Sequence, residues 1–200
     1  RPRRQRQMCI RDRHYMHSLI RSFPVLSAQR AKALEASVVS SMDHEWLIMQ
    51  RAGLGIAQQV ISDYQELRPL PEYLRIIVIA GKGHNGGDAL LACNQLLSDL
   101  PRAKITLLTT CKSESMKPLA KRAYEDLKGR VSEFLISEDA TIESIAAILD
   151  KSDDSKGFDI CLDGLLGIGF KSPIRGSFKN LIEAINGYKK IGLRAAVDMP

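Results

Sequence analysis

Little in this chain points to zinc, disulfide or membrane chemistry. Its 200 residues hold four cysteines, Cys9, Cys93, Cys111 and Cys161, with no short paired spacing, which argues against a zinc site or a disulfide framework. Cys93, Cys111 and Cys161 stand in apolar surroundings and are expected as small buried hydrophobes in a reducing compartment, the cytoplasm. Excess charge is also missing from most of the chain. The net charge is +6, but residues 1–13 carry six Arg against one Asp, and without them only +1 remains. A nearly neutral body gives no reason to expect nucleic acid as a partner. The basic start has no long apolar stretch, so it is neither a secretory signal nor a membrane span. Residues 1–15 are expected to be a non-native or disordered tail, and residues 16–200 one domain. Internal repeats are absent. So are the patterns G-x-G-x-x-G and G-x-x-x-x-G-K-[ST], which removes the usual dinucleotide and P-loop readings.

What is present is Gly81-Lys82-Gly83-His84-Asn85-Gly86-Gly87-Asp88, directly after the apolar run Ile76-Ile77-Val78-Ile79-Ala80. A buried strand that breaks into a glycine-rich turn before a helix offers backbone N–H groups to an anion, and a phosphorylated ligand is expected. Four glycines in seven residues are expected to supply φ > 0 and an exposed turn that leaves room for that ligand.

The rest of the pattern alternates. Ser27 is the expected N-cap of a first helix, a second runs from about Asp43 to Tyr64, and Arg68-Pro69-Leu70-Pro71 breaks the chain. Met49, Gly53 and Ala57 suit close helix packing. Strands are then expected at 75–80, 104–109, 130–136, 158–162 and 194–197, separated by helices at 87–97, 115–127, 141–149 and 178–188. Near-continuous apolar strands between amphipathic helices imply a Rossmann-like three-layer α/β/α fold with a mainly parallel sheet. Ligands on such sheets bind beyond the carboxyl ends of the strands. Three segments lie there: the Gly81 to Asp88 turn, Asp163-Gly164-Leu165-Leu166-Gly167-Ile168-Gly169, and Asp198-Met199-Pro200.

Each segment carries a carboxylate. Alone, Asp88 could serve the dipole of a helix's first turn and Asp163 could cap a turn. Asn85, Asp163 and nearby carbonyls form an oxygen set suited to a hard cation, with a weakly bound monovalent ion expected. Of the histidines, only His84 has a functional case; His14, His17 and His44 are expected at the surface.

These motifs, with Pro173-Ile174-Arg175-Gly176, Leu26-Ser27-Ala28-Gln29 and Met49-Gln50-Arg51-Ala52-Gly53, resemble the NAD(P)HX epimerase family, the YjeF N-terminal domain. The resemblance spans residue 26 to the chain end. It implies interconversion of the R and S epimers of hydrated NADH and NADPH, which carry a hydroxyl at carbon 6 of the nicotinamide ring. It also implies that His84, Asn85, Gly86, Gly87 and Asp88 contact substrate and that Asn85 and Asp163 bind K⁺. By the same resemblance Gly167, Ile168, Gly169, Phe170, Lys171, Ser172 and Pro173 cradle phosphates, while Asp198 lies near the reacting ring as its proton-handling group. A dehydratase domain or protein would act on the product, and the resemblance leaves room for a homodimer. His84 replaces the family's usual Asn, Ala89 a common Gly, and Lys171-Ser172 stand where an Arg is frequent. Pro200 precedes a family Ser that completes the ion's ligands, so the domain is expected to be truncated there. The competing reading is a non-catalytic nucleotide-, RNA- or protein-binding scaffold of the same fold; Asp88, Asp163 and Asp198, which a scaffold does not need, favour the enzyme.

Overall fold

A computed structural model describes residues 27–153, 156–167, 170 and 173–197. Two helices precede the alternating part, α1 (Ala28–Val38) and α2 (Met42–Leu67). Ser41 Oγ caps α2 by accepting from the His44 N–H, so that the helix begins at Met42, one residue ahead of the expected start. Then come β1 (Arg75–Ala80), α3 (His84–Asp99), β2 (Lys104–Thr109), α4 (Pro118–Glu125), β3 (Ser132–Leu135), α5 (Ile142–Ser152), β4 (Phe158–Gly164), α6 (Gly176–Gly187) and β5 (Ile191–Ala196). β1 and β2 fall where their apolar runs predict. The helix expected over 115–127 divides into a 3₁₀ turn at Ser113–Ser115 and α4, because Pro118 lacks an N–H and so begins a helix instead of continuing one. β5 starts at Ile191, three residues before the expected strand.

The strands form one parallel sheet in the order β3-β2-β1-β4-β5. Chain progression reverses between β1 and β4, so the crevice for a ligand opens above that pair. Alternation across the pleat explains why β1 is apolar throughout. Ile76, Val78 and Ala80 join a core with Trp46, Met49, Tyr64, Leu90 and Leu119 from α2, α3 and α4. Ile77 and Ile79 face the second core, with Ile145, Leu149, Leu181 and Ile185 from α5 and α6.

Met49, Gly53 and Ala57 pack as expected, all three buried. A Cβ on Gly53 would stand 2.5 Å from Leu91 Cβ, so glycine sets how closely α2 approaches α3. Cys93 and Cys161 are buried, and burial pushes both thiols up to about 12; Cys111 is half-buried. His44 lies at the surface, partly covered beside Ser40, its Nδ1 3.1 Å from Ser40 Oγ. His14 and His17 lie outside the described residues. Among the described residues no helix is long and apolar enough to cross a membrane.

Candidate functional site

The β1 to α3 connection is shorter than the glycine pattern suggests. α3 begins at His84, with Gly83 as its N-cap, so only Gly81, Lys82 and Gly83 form the turn. None of the four motif glycines has positive φ; among the described residues Gly129, Gly157 and Gly176 do. The expected reason for the glycines is therefore replaced by another, close approach. A Cβ on Gly81 would lie 2.3 Å from the Leu165 carbonyl oxygen, and one on Gly86 only 1.9 Å from that of Gly81. Gly87 is buried, not exposed: its Cβ would meet Met49 Sδ at 3.0 Å and Ala120 Cα at 3.2 Å, and its N–H donates to the Gly83 carbonyl at 3.0 Å. Gly83 alone of the four has open space around it. Three N–H groups of the first turn, on His84, Asn85 and Gly86, have no intrahelical acceptor by helix geometry. Because the helix starts early, Asp88 sits in its second turn, where the dipole effect has largely decayed, and the first-turn reading of Asp88 lapses.

Asn85 and Asp163 come together through the segment after β4. Asn85 Nδ2 donates to the Leu166 carbonyl at 2.6 Å, and Leu165 N–H donates to Asp163 Oδ1 at 2.9 Å. Asp163 thus does cap a turn, without that exhausting its oxygens. Gly164 makes the approach possible: its Cβ would stand 2.9 Å from the Asn85 carbonyl oxygen and 2.4 Å from Ala89 Cβ. Ala89 is fully buried in that contact, so the absence of a side chain at Gly164 accommodates the methyl at a position where the family commonly has Gly. Val197 N–H donates to the Asp163 carbonyl at 2.8 Å, which holds the end of β5 beside the pair.

The electrostatics of this pair are unfinished. Asn85 Oδ1 is buried and has no hydrogen-bond partner. A buried acceptor left unmade costs about 1–3 kcal/mol. Burial also pushes the Asp163 carboxyl above its ordinary range, only partly offset by the Leu165 N–H. An orphaned amide oxygen and a desolvated carboxylate are what a hard monovalent cation would relieve. Among the described residues no group of three or more His, Cys, Asp or Glu is placed to hold a metal, so an ion here would depend on amide, carbonyl and single-carboxylate oxygens.

His84 Nδ1 lies 3.4 Å from Glu45 Oε1 on α2, a partner that sequence reasoning missed. The signal was Ser41: once it caps α2, Glu45 falls in the first turn. Gly167, after β4, accepts from the Phe170 N–H at 2.9 Å, and Phe170 and Pro173 are exposed. Ile168, Gly169, Lys171, Ser172 and Asp198 lie outside the described residues.

Known proteins resemble this chain in sequence and fold. The family described as YjeF-related protein N-terminus matches residues 47–200. The NAD(P)H-hydrate epimerase of Candida albicans is 28% identical over 89% of this chain and 69% of its own length. Bifunctional NAD(P)H-hydrate repair enzymes of Gloeobacter violaceus and Thermofilum pendens are 29% and 31% identical over 88% and 78% of the chain, which spans 30% and 27% of their lengths. The crystal structure of yeast YNL200c aligns with a TM-score of 0.67 at 24% identity, covering 89% of this chain and 71% of that one, a likeness of fold. With a family match over most of the chain, and its described motif residues at the carboxyl ends of one parallel sheet, the protein belongs to the YjeF-related N-terminal domain family.

Proposed function

We propose that this protein epimerises the R and S forms of hydrated NADH and NADPH, as an isomerase that prepares the damaged cofactor for a dehydratase. The observation that carries the reading is the buried, unpartnered Asn85 Oδ1 beside Asp163 at the β1/β4 switch point, in a chain similar to proteins named NAD(P)H-hydrate epimerase. A buried acceptor without a partner calls for an explanation, and a bound ion supplies one. The unpaired buried thiols of Cys93 and Cys161 fit a reducing, cytoplasmic setting.

In this reading Asn85 and Asp163 hold K⁺, which would fix the segment after β4 against α3. The first-turn N–H groups of α3 and the Gly167 to Pro173 segment bind the pyrophosphate, so binding energy from the nucleotide orients the ring. Gly87, buried, shapes the helix start, and His84, steadied by Glu45, presents a ring N–H or lone pair to a substrate oxygen.

Asp198 handles the proton. In its acid form it protonates the carbon-6 hydroxyl; the C–O bond breaks, water leaves, and the ring nitrogen lone pair forms the C=N bond. Water then adds to the other face and returns a proton to the carboxylate, so the net proton count is zero.

The test follows the ratio of R and S NADHX by chromatography. Asp198→Asn keeps shape but removes the base, and turnover is expected to fall by roughly 10²-fold or more with little change in binding. Parent-like turnover would reduce Asp198 to a binding residue. A parent that does not epimerise at all would hand the lead to the scaffold reading.

A further inference from the structure

The proposed reaction uses the rim over β1, β4 and β5, and the rim over β2 holds polar groups it leaves idle. Thr110 directly follows β2. Its N–H donates to the Ala80 carbonyl at 3.3 Å, and its Oγ1 is buried without a hydrogen-bond partner. Such a hydroxyl costs stability unless something else fills it.

Lysines stand near this position along the chain and in the turn before α3. Lys112 precedes the 3₁₀ turn at Ser113–Ser115. The Gly81 to Gly83 turn lies against the same segment, since Lys117 N–H donates to the Lys82 carbonyl at 2.9 Å. The Lys82 ammonium is near enough to Cys111 to offset part of the upward push that burial gives its thiol. Lys82, Lys112, Lys117 and Lys121 are all exposed. Glu114 is the single carboxylate in residues 110–121; it accepts from Ser113 Oγ at 3.3 Å and lies near Lys112 and Lys121. Residues 110–121 together with Lys82 thus carry four lysines against one carboxylate, while Glu138 and Asp139 follow β3 next door.

We propose that Thr110, Lys82 and Lys112 form the subsite for a phosphate on the adenosine ribose, so that the protein prefers the 2′-phosphorylated substrate, NADPHX, over NADHX. This deepens the epimerase reading and rests on it. In dinucleotide-binding sheets a carboxylate accepts from the ribose 2′-hydroxyl, whereas a cation accommodates a 2′-phosphate. Here the residues directly after β2 supply a hydroxyl donor and ammonium groups instead of a carboxylate, and a lysine binds phosphate as a point charge. The span also fits. With the ring at β5 and the pyrophosphate by the segment after β4, the ribose reaches β2 across three strand spacings, about 14 Å at about 4.8 Å each.

The experiment titrates the protein calorimetrically with adenosine 2′,5′-bisphosphate and with 5′-AMP, alongside kcat/KM for NADPHX and NADHX. The bisphosphate is expected to bind at least about tenfold tighter, in line with a charge-assisted hydrogen bond plus an ion contact. The double variant Lys82→Met, Lys112→Met should bring that ratio close to one. Thr110→Val, nearly isosteric, should lower it several-fold while Tm holds or rises, because the orphaned hydroxyl is gone. The kinetic ratio should move in parallel. Equal binding of the two nucleotides, or an unchanged ratio in the double variant, overturns the subsite. Preference for the bisphosphate with neither hydrate epimerised overturns the epimerase reading and keeps the phosphate subsite, so the two failures are distinct.

Discussion

The two ends of the sheet treat buried polar groups in opposite ways. At the amino ends, Asp159 accepts from Arg75 N–H at 2.8 Å, from Arg75 Nε and Nη2 at 3.2 Å, and lies 3.4 Å from the Tyr64 hydroxyl. Asp153, almost wholly buried, accepts from the Tyr188 hydroxyl at 2.6 Å and from Lys190 Nζ at 3.0 Å. Burial, with the Asp153 and Asp150 carboxylates, pushes the Tyr188 hydroxyl up, and Asp153 also raises Lys190. Both carboxylates are provided for, and the one orphan there among the described residues, Arg75 Nη1, shares the charge of a guanidinium already paired. At the carboxyl ends Asn85 Oδ1 and Thr110 Oγ1 are orphaned and Asp163 is desolvated. A satisfied network ties elements together; an unsatisfied one is kept for something that arrives later.

Breaking the amino-end network should give the largest loss of stability. Asp159→Ala leaves the Arg75 guanidinium and the Tyr64 hydroxyl without their partner, and about 3 kcal/mol is expected, the scale for removing one member of a buried pair. Urea denaturation measures it. A loss under 1 kcal/mol would mean that the two ends do not differ as described.

Next comes Gly87→Val, whose methyls would push into Met49 and Ala120 where α2, α3 and α4 meet. It should cost about 1–3 kcal/mol in the same denaturation experiment, the range for overpacking. Parent-like stability with lost dinucleotide binding would instead restore an exposed, ligand-facing role for Gly87.

Smaller still is the ion effect. K⁺ should raise Tm above its value in Na⁺ at equal ionic strength, because a ligand of the native state stabilises it by mass action, and Asp163→Ala should erase that difference. Equal Tm in both salts before mutation would count against the Asn85 and Asp163 site.

A pH effect concerns the core. Cys93 and Cys161 titrate near 12 when folded and near 8.5 in an unfolded chain. The folded state therefore holds more protons between those values, and their share of stability is full below about pH 8.5 and falls as pH rises toward 12. Denaturation midpoints at pH 8 and pH 10, with Cys161→Ala as control, read it; the variant should show the shallower decline.

Much of this was legible without coordinates, for identifiable reasons. Apolar runs at 75–80 and 104–109 name buried strands because parallel strands bury both faces, and three glycine or carboxylate segments fall after strands because that is where such sheets bind ligands. Asn85 and Asp163 were legible as an oxygen pair by residue type. The glycines were legible as necessary, but the reason for them was not. φ > 0 is a local property a sequence can suggest, whereas the near-collision of Gly86 with the Gly81 carbonyl and of Gly87 with Met49 and Ala120 depends on chain segments far apart or folded back on themselves. Glu45 beside His84 and the orphaned Thr110 hydroxyl were invisible for the same cause. Composition, periodicity and turn residues determined the fold class and the rim on which chemistry would sit, since these follow from local backbone physics. Which polar groups are paired and which wait was decided only by tertiary packing, because a hydrogen bond is satisfied or orphaned according to what the rest of the fold brings within about 3 Å of it.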